Sequence, residues 1–193
     1  MFQIRIHGRG GRGEVVTAAE LRSMAALVEG RHTQASRAFG SGRAGAPVMA
    51  FCRIADVAIR RNEPVMDPDA LIVQDTTLLS EVDVFGGLKR NGYLLLNSEL
   101  GLPELGQTEQ ARWHPPRHVA VVPASQLAMR HTGRPVPTAA MLGAFAALTG
   151  VVSLESVVAA IRGRFGRLVE GSAAAATEAH DLLRAANGST THA

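Results

Sequence analysis

The sequence predicts an α/β protein with a Rossmann-like, mostly parallel sheet flanked by helices and a helical C-terminal third. Three observations carry that prediction. The chain opens on an alternating run, Phe2-Gln-Ile-Arg-Ile6, that passes through glycines into an amphipathic run, which reads as strand, tight turn and helix. Short apolar runs follow at Val48–Ile54, Ala70–Gln74, Tyr93–Asn97 and His118–Pro123, and runs hydrophobic throughout suit strands covered on both faces. From Ala139 onward the apolar residues form longer, helix-length segments.

Each element has its own signal. The first helix is predicted over Val15–Glu29, with Val16, Ala19, Met24, Leu27 and Val28 as its core stripe and Gly30 as its stop. Arg31 to Pro47 is a long, polar, glycine-rich passage, within which Thr33–Ala35 is expected to form a short strand. Ile59 is expected in a short strand or extended run, and Asp75 or Thr76 should cap a helix after the Ala70–Gln74 strand. Leu100–Pro116 reads as a surface connection with Trp113 folded back onto the body. Ala124–Met129 is a short helix, and Ala139–Thr149 a buried one too short to cross a bilayer. Ser153 caps a helix over Leu154–Phe165, and a last helix runs from about Leu168 or Glu170 to Ala186. Residues 1–186 therefore read as a single domain, and 187–193 as a disordered polar tail.

Composition narrows the function classes. In 193 residues the hydrophobic fraction is 46% but aromatics are only 4%, so the core must be built from Val, Leu, Ile and Ala. Twenty cations face 17 acidic residues, and all but Lys89 are arginines. Clusters such as Arg60-Arg61 and Arg162, Arg164 and Arg167 lack interleaved aromatics, which favours solvated faces or subunit contacts over nucleic acid. The single cysteine, Cys52, excludes an internal disulfide and any cysteine-ligated iron-sulfur cluster carried by this chain alone; it reads as a small buried hydrophobe. With neither a signal peptide nor an 18-residue apolar run, a cytoplasmic protein without membrane contact is expected.

No nucleophile, metal-ligand cluster or acid–base pair stands out. His7 lies where the first strand ends, the position from which open α/β sheets bind ligands; a hydrogen-bonded loop histidine is the plainer reading. His114, His118, His131, His180 and His192 are scattered over connections and polar faces. Gly8, Gly10 and Gly13 fit G-x-G-x-x-G, yet the carboxylate that a dinucleotide site places about 20 residues on is missing, with only Glu29 nearby. Arg31 or Arg37 remains as a partner for a 2′-phosphate. A second glycine passage, Gly40, Gly42 and Gly45 around Arg43, can wrap a phosphate or dock a neighbouring backbone. An independent NAD(P)-binding oxidoreductase and a purely structural interaction subunit both stay open on these residues.

Taken together, Ile4-Arg-Ile-His-Gly-Arg-Gly-Gly, Thr17-Ala-Ala-Glu-Leu, Phe39-Gly-Ser, Gly45-Ala-Pro-Val, Gly92-Tyr-Leu-Leu-Leu-Asn97, Gly133-Arg-Pro and Leu142-Gly-Ala-Phe resemble the gamma subunit of the 2-oxoacid:acceptor oxidoreductases, pyruvate:ferredoxin oxidoreductase among them. The resemblance covers residue 2 to about 186. Arg12 stands where the family usually has glutamine, one extra residue falls near Glu14, and Ser36-Arg37-Ala38 and Gly42 depart from the second loop's usual pattern.

The resemblance implies a subunit of an enzyme that oxidatively decarboxylates a 2-oxoacid, usually to an acyl-coenzyme A. Partner chains of alpha, beta and delta type would hold thiamine diphosphate, Mg2+ and [4Fe-4S] clusters, and ferredoxin or another acceptor would take the electrons. This chain would bind none of these groups alone and supply no catalytic or metal-ligating residue. Its Gly8, Gly10, Gly11, Arg12, Gly13, Gly40 and Arg43 would lie at coenzyme A or at a subunit junction, with Arg12 meeting an anionic group.

Overall fold

Alternation within the first strand sets up the whole molecule. In β1 (Phe2–Arg9), Ile4 and Ile6 enter one hydrophobic core, while Arg5 and His7 point to the opposite side of the sheet. The chain continues through α1 (Glu14–Val28), β2 (His32–Arg37), β3 (Pro47–Ala55), β4 (Ala70–Val73), β5 (Tyr93–Asn97), α2 (Thr108–Arg112), β6 (Val119–Val122), α3 (Ala124–Thr132), α4 (Thr138–Thr149), α5 (Leu154–Arg164) and α6 (Val169–Ser189). The computed structural model describes residues 1–10, 14–37, 43–164 and 166–189.

The strands form one six-stranded mixed sheet in the order β2-β3-β1-β4-β5-β6. β1, β4, β5 and β6 pair in parallel, whereas β3 runs antiparallel to both β1 and β2. The short strand expected at Thr33–Ala35 is thus present as β2, but it does not pair with β1. β3 inserts between them, because the chain returns through Gly45-Ala46 and hydrogen-bonds along the whole length of β1, from Phe2↔Ile54 to Arg9↔Pro47.

Helices α1, α3, α4, α5 and α6 all feed the same core as Ile4, Ile6, Cys52, Ile54 and Ile72. Its alanines let backbones approach closely. At Gly143 in α4 even a Cβ would strike the backbone of Ala176 in α6, so glycine there fixes how near the two helices lie. The burial stripe of α1 is Val15, Ala18, Ala19, Leu21, Arg22, Ala25 and Ala26, which leaves Leu27 and Val28 exposed, contrary to the stripe read from the sequence. Four of those seven buried residues are alanines, which let α1 pack closely on the sheet.

The other face of the sheet carries no such helical layer. After β4 the chain makes only a 3₁₀ turn, Thr76–Ser80, in place of the expected crossover helix. Leu78 and Val84 from that connection cover Leu71, Val73, Leu94 and Leu96, with Phe85, Leu88, Leu102 and Leu105 packed around them. The segment around Ile59 is irregular and not a strand. Trp113 is exposed, its ring 5.7 Å from the guanidinium of Arg90 and not folded into the body. The last helix passes the Ala186 boundary and runs to Ser189, since its alanine-rich sequence meets no breaker before the final turn.

Candidate functional site

The strand order reverses between β1 and β4, and in open α/β sheets such a reversal leaves a crevice at the carboxyl ends of the strands. Here the crevice is a cavity of about 170 Å³, lined by Arg9, Glu14, Val15, Gln74, Asp75 and Ser125 among others. The Gln74 amide donates to the His7 carbonyl at 2.8 Å, which holds the end of β4 to β1. Asn97 completes the rim: its Nδ2 donates to the Gln74 carbonyl and to Ser125 Oγ, both at 2.8 Å.

Two glycines at this edge are required by contact. A Cβ on Gly8 would lie 2.5 Å from Val15 Cγ2 and 3.2 Å from Gln74 Oε1, so its absence lets the first turn of α1 seat on the strand. A Cβ on Gly10 would lie 2.9 Å from the Arg43 carbonyl. The Gly10 amide donates to Ala46 O at 2.8 Å, and its carbonyl accepts from Gly45 N–H at 2.9 Å. The two glycine passages are therefore one structure at Gly10, Gly45 and Ala46. Arg43 is exposed beside them; Gly11, Arg12, Gly13 and Gly40 lie outside the described residues.

Arg9 ties this junction together. Its Nη1 donates to Gly45 O at 3.0 Å, its Nε lies 3.2 Å from Asp75 Oδ2, and its Nη2 is 2.5 Å from Glu81 Oε1. The hydrogen bond from Arg9 holds the Glu81 carboxyl below the usual range. Asp75 also accepts from Thr77 N–H at 3.0 Å, capping the 3₁₀ turn as the sequence predicts.

Arg9 holds Asp75 and Glu81, Glu14 also lines the cavity, and among the described residues no histidine or cysteine does. His7 is a buried strand residue, not a loop residue, because β1 keeps pairing with β3 past it; it points to the far side of the sheet, where burial pushes its pKa down to about 4. Cys52 is fully buried on the helix side, which pushes its thiol up to about 12 and leaves it inert. Among the described residues there is no group of three His, Cys, Asp or Glu side chains able to hold a metal. Of the residues weighed for a dinucleotide, Glu29 and Arg31 are engaged elsewhere, Glu29 Oε1 accepting from Ser153 N–H at 2.7 Å and Arg31 pairing with Asp56 at 3.0 Å, while Arg37 stands at the end of β2.

Sequence reasoning passed over Arg9, Gln74 and Asn97, whose roles depend on which strands adjoin. It also passed over Arg5, Arg22 and Arg53, all buried. Arginines inside apolar strands and helices were the available signal, since a buried guanidinium must find acceptors.

Comparison with known proteins gives the family. The model of the pyruvate ferredoxin/flavodoxin oxidoreductase family matches residues 3–182. The chain belongs to that family. It is a gamma-type member. The pyruvate synthase subunit PorC of Methanothermobacter marburgensis is 42% identical over 95% of this chain and 98% of its own length. The common gamma subunit of the pyruvate/ketoisovalerate oxidoreductases of Pyrococcus abyssi is likewise 42% identical, over 94% of this chain and 96% of its own. The crystal structure of the pyruvate oxidoreductase subunit PORC of Thermotoga maritima superposes with a TM-score of 0.76 at 30% identity, covering 93% of this chain and 95% of that one. The Rossmann-like sheet with C-terminal helices is thus the architecture of this pyruvate oxidoreductase family member.

Proposed function

We propose that this chain is the non-catalytic gamma subunit of a multi-subunit, cytoplasmic 2-oxoacid oxidoreductase, serving assembly and shaping the approach of coenzyme A. The observation that carries this reading is the joined glycine edge: close packing at Gly8 and Gly10 seats the second glycine passage on the sheet's switch point and leaves Gly45 and Arg43 exposed there.

The groups this enzyme class uses do not fit this chain. An iron-sulfur cluster takes four thiolates, and the one cysteine here is buried and protonated. Among the described residues no three His, Cys, Asp or Glu side chains cluster. In this reading alpha, beta and delta-type partners hold the thiamine diphosphate and the clusters, and ferredoxin or another acceptor takes the electrons from them. What this chain's residues do is hold shape. Arg9 fixes the junction, and Arg43 offers a guanidinium to a phosphate or a partner carboxylate.

Two measurements test the reading. The chain expressed alone should show no coenzyme A-dependent oxidation of pyruvate, whereas the native enzyme should contain it in stoichiometric amount; turnover by the isolated chain overturns the proposal. In the assembled enzyme, Arg43→Ala should raise the KM for coenzyme A by about tenfold, one charge-assisted hydrogen bond, with kcat little changed. An unchanged KM would confine the edge to assembly.

A further inference from the structure

The antiparallel half of the sheet, on the face without helices, holds a hollow of about 910 Å³, in the size range of small-molecule sites. It lies on the opposite side of the sheet from the helices and does not depend on the reading above.

The hollow is built, not left over. Its floor is β1 and β3, where the pairs Arg5↔Phe51 and His7↔Met49 face outward. Its wall is the 62–67 segment, which two buried arginines hold in place. Arg53 Nη2 donates to the Glu63 carbonyl at 2.5 Å, and Arg5 Nη1 donates to the Met66 carbonyl at 3.2 Å. Arg5 also reaches across to Val84 O at 3.0 Å, so one guanidinium joins both sides. The sides touch at Gly87, where φ is +77° and a Cβ would strike the Met66 carbonyl.

Inside, two buried polar atoms lack partners, Arg5 Nε and His7 Nε2. His7 is only 4% exposed, and its Nε2 has no hydrogen-bond partner. A buried polar atom without a partner is uncommon and calls for one. Around it Met49, Phe51, Val65 and Met66 form a soft apolar patch, with Met66 69% exposed at the mouth, while Asp67 and Asp83 line the hollow on the side of Arg5 and so leave Arg37 as the place for an anion. Arg37 stands at the rim, and its guanidinium makes no ion pair or hydrogen bond within the described residues.

We propose that this hollow binds a small molecule made of a flat ring and one anionic group. The ring lies on Phe51 and Met49 under Met66, its hydrogen-bonding edge or substituent meets His7 Nε2, and the anion meets Arg37. Nucleotides and aryl carboxylates share this chemistry.

The test is calorimetric titration of the full chain with AMP, with phenylacetate and with inorganic phosphate. One of the two ring-bearing probes should bind one to one, which tells a nucleotide from an aryl acid, and phosphate alone should not bind. Met66→Glu alters an exposed side chain, so its circular dichroism and melting should match those of the parent, and it should weaken the bound probe at least about tenfold. Binding should also shift the His7 ring nitrogen resonances of the unaltered chain. The proposal is overturned if neither ring-bearing probe binds at millimolar concentration, if phosphate alone binds equally well, or if Met66→Glu leaves affinity unchanged.

Discussion

The two faces of the sheet are built on different principles. On the helix side, Ile4, Ile6, Ile54 and Ile72 meet alanine-rich helices in a dense apolar layer. Its buried cation, Arg22, is served by Ala18 O at 2.8 Å and Met141 O at 3.2 Å and lies 5.1 Å from the Phe145 ring centre. On the other face, the antiparallel half buries Arg5, His7 and Arg53 around loops, and much of their bonding goes to backbone carbonyls. The helix face is held by area removed from water, whereas the antiparallel half of the other face is held by polar groups that pin irregular chain. Global stability should therefore reside on the helix side, and the shape of the hollow on the other.

The largest expected effect tests the first half of that contrast. Phe145 is fully buried and touches both Phe2 and Arg22, so Phe145→Ala should cost about 3–5 kcal/mol in urea unfolding. A loss below about 1 kcal/mol would mean that the helix layer is not what holds the fold.

Next comes acid sensitivity, which belongs to the polar face. His7 has a folded pKa of about 4, below its ordinary 6.5. Between those values the unfolded chain binds a proton that the folded chain does not, so stability falls as pH drops from 6.5 to 4 and this contribution levels off below. The loss amounts to about 3 kcal/mol for one proton over that window. His7→Leu should remove the larger part of this slope, leaving the smaller loss from His114, which burial also shifts downward, and the steeper loss from carboxylates at lower pH. If both proteins lose the same stability between pH 6.5 and 4.5, His7 is not buried as a neutral imidazole.

Arg53→Met sharpens the contrast further. It keeps the apolar stem but removes bonds to Gln3 Oε1, Gln34 Oε1 and the Glu63 carbonyl. The expected cost is about 1–3 kcal/mol. Its clearer signature is local: trypsin should cut faster at Arg60-Arg61, beside the released wall, with the melting of the helix layer little altered. Equal cutting in both proteins would show that the wall stands without Arg53.

What the sequence disclosed follows the same division. Apolar runs placed β4, β5 and β6 to within a residue or so, because a buried strand must be apolar whatever surrounds it. The α1 stripe was misread since alanine, the residue that packs closest, carries a weak periodic signal beside Leu27 and Val28. Two passages legible as glycine loops proved to be one junction, and that depended on β3 doubling back along β1, a pairing no local pattern records. The missing helix after β4 was hidden too. Asp75-Thr-Thr is a sound N-cap for an α-helix and for a 3₁₀ turn alike, and only the bonds to Arg9 distinguish the observed use.

The smallest effect separates those two duties of Asp75. Its Oδ1 accepts from Thr77 N–H at 3.0 Å and from Thr77 Oγ1–H at 2.6 Å, while its Oδ2 lies 3.2 Å from Arg9 Nε. Asp75→Ala removes both and should cost about 1 kcal/mol, the ordinary value of a lost cap. Asp75→Asn keeps an acceptor for the turn but discards the charge facing Arg9, an exposed pair of the kind that contributes little. The asparagine variant should therefore melt close to the parent and the alanine variant below it. Should asparagine cost as much as alanine, the charge on Arg9, not the cap, holds the turn, and the glycine junction that Arg9 anchors would share in the loss.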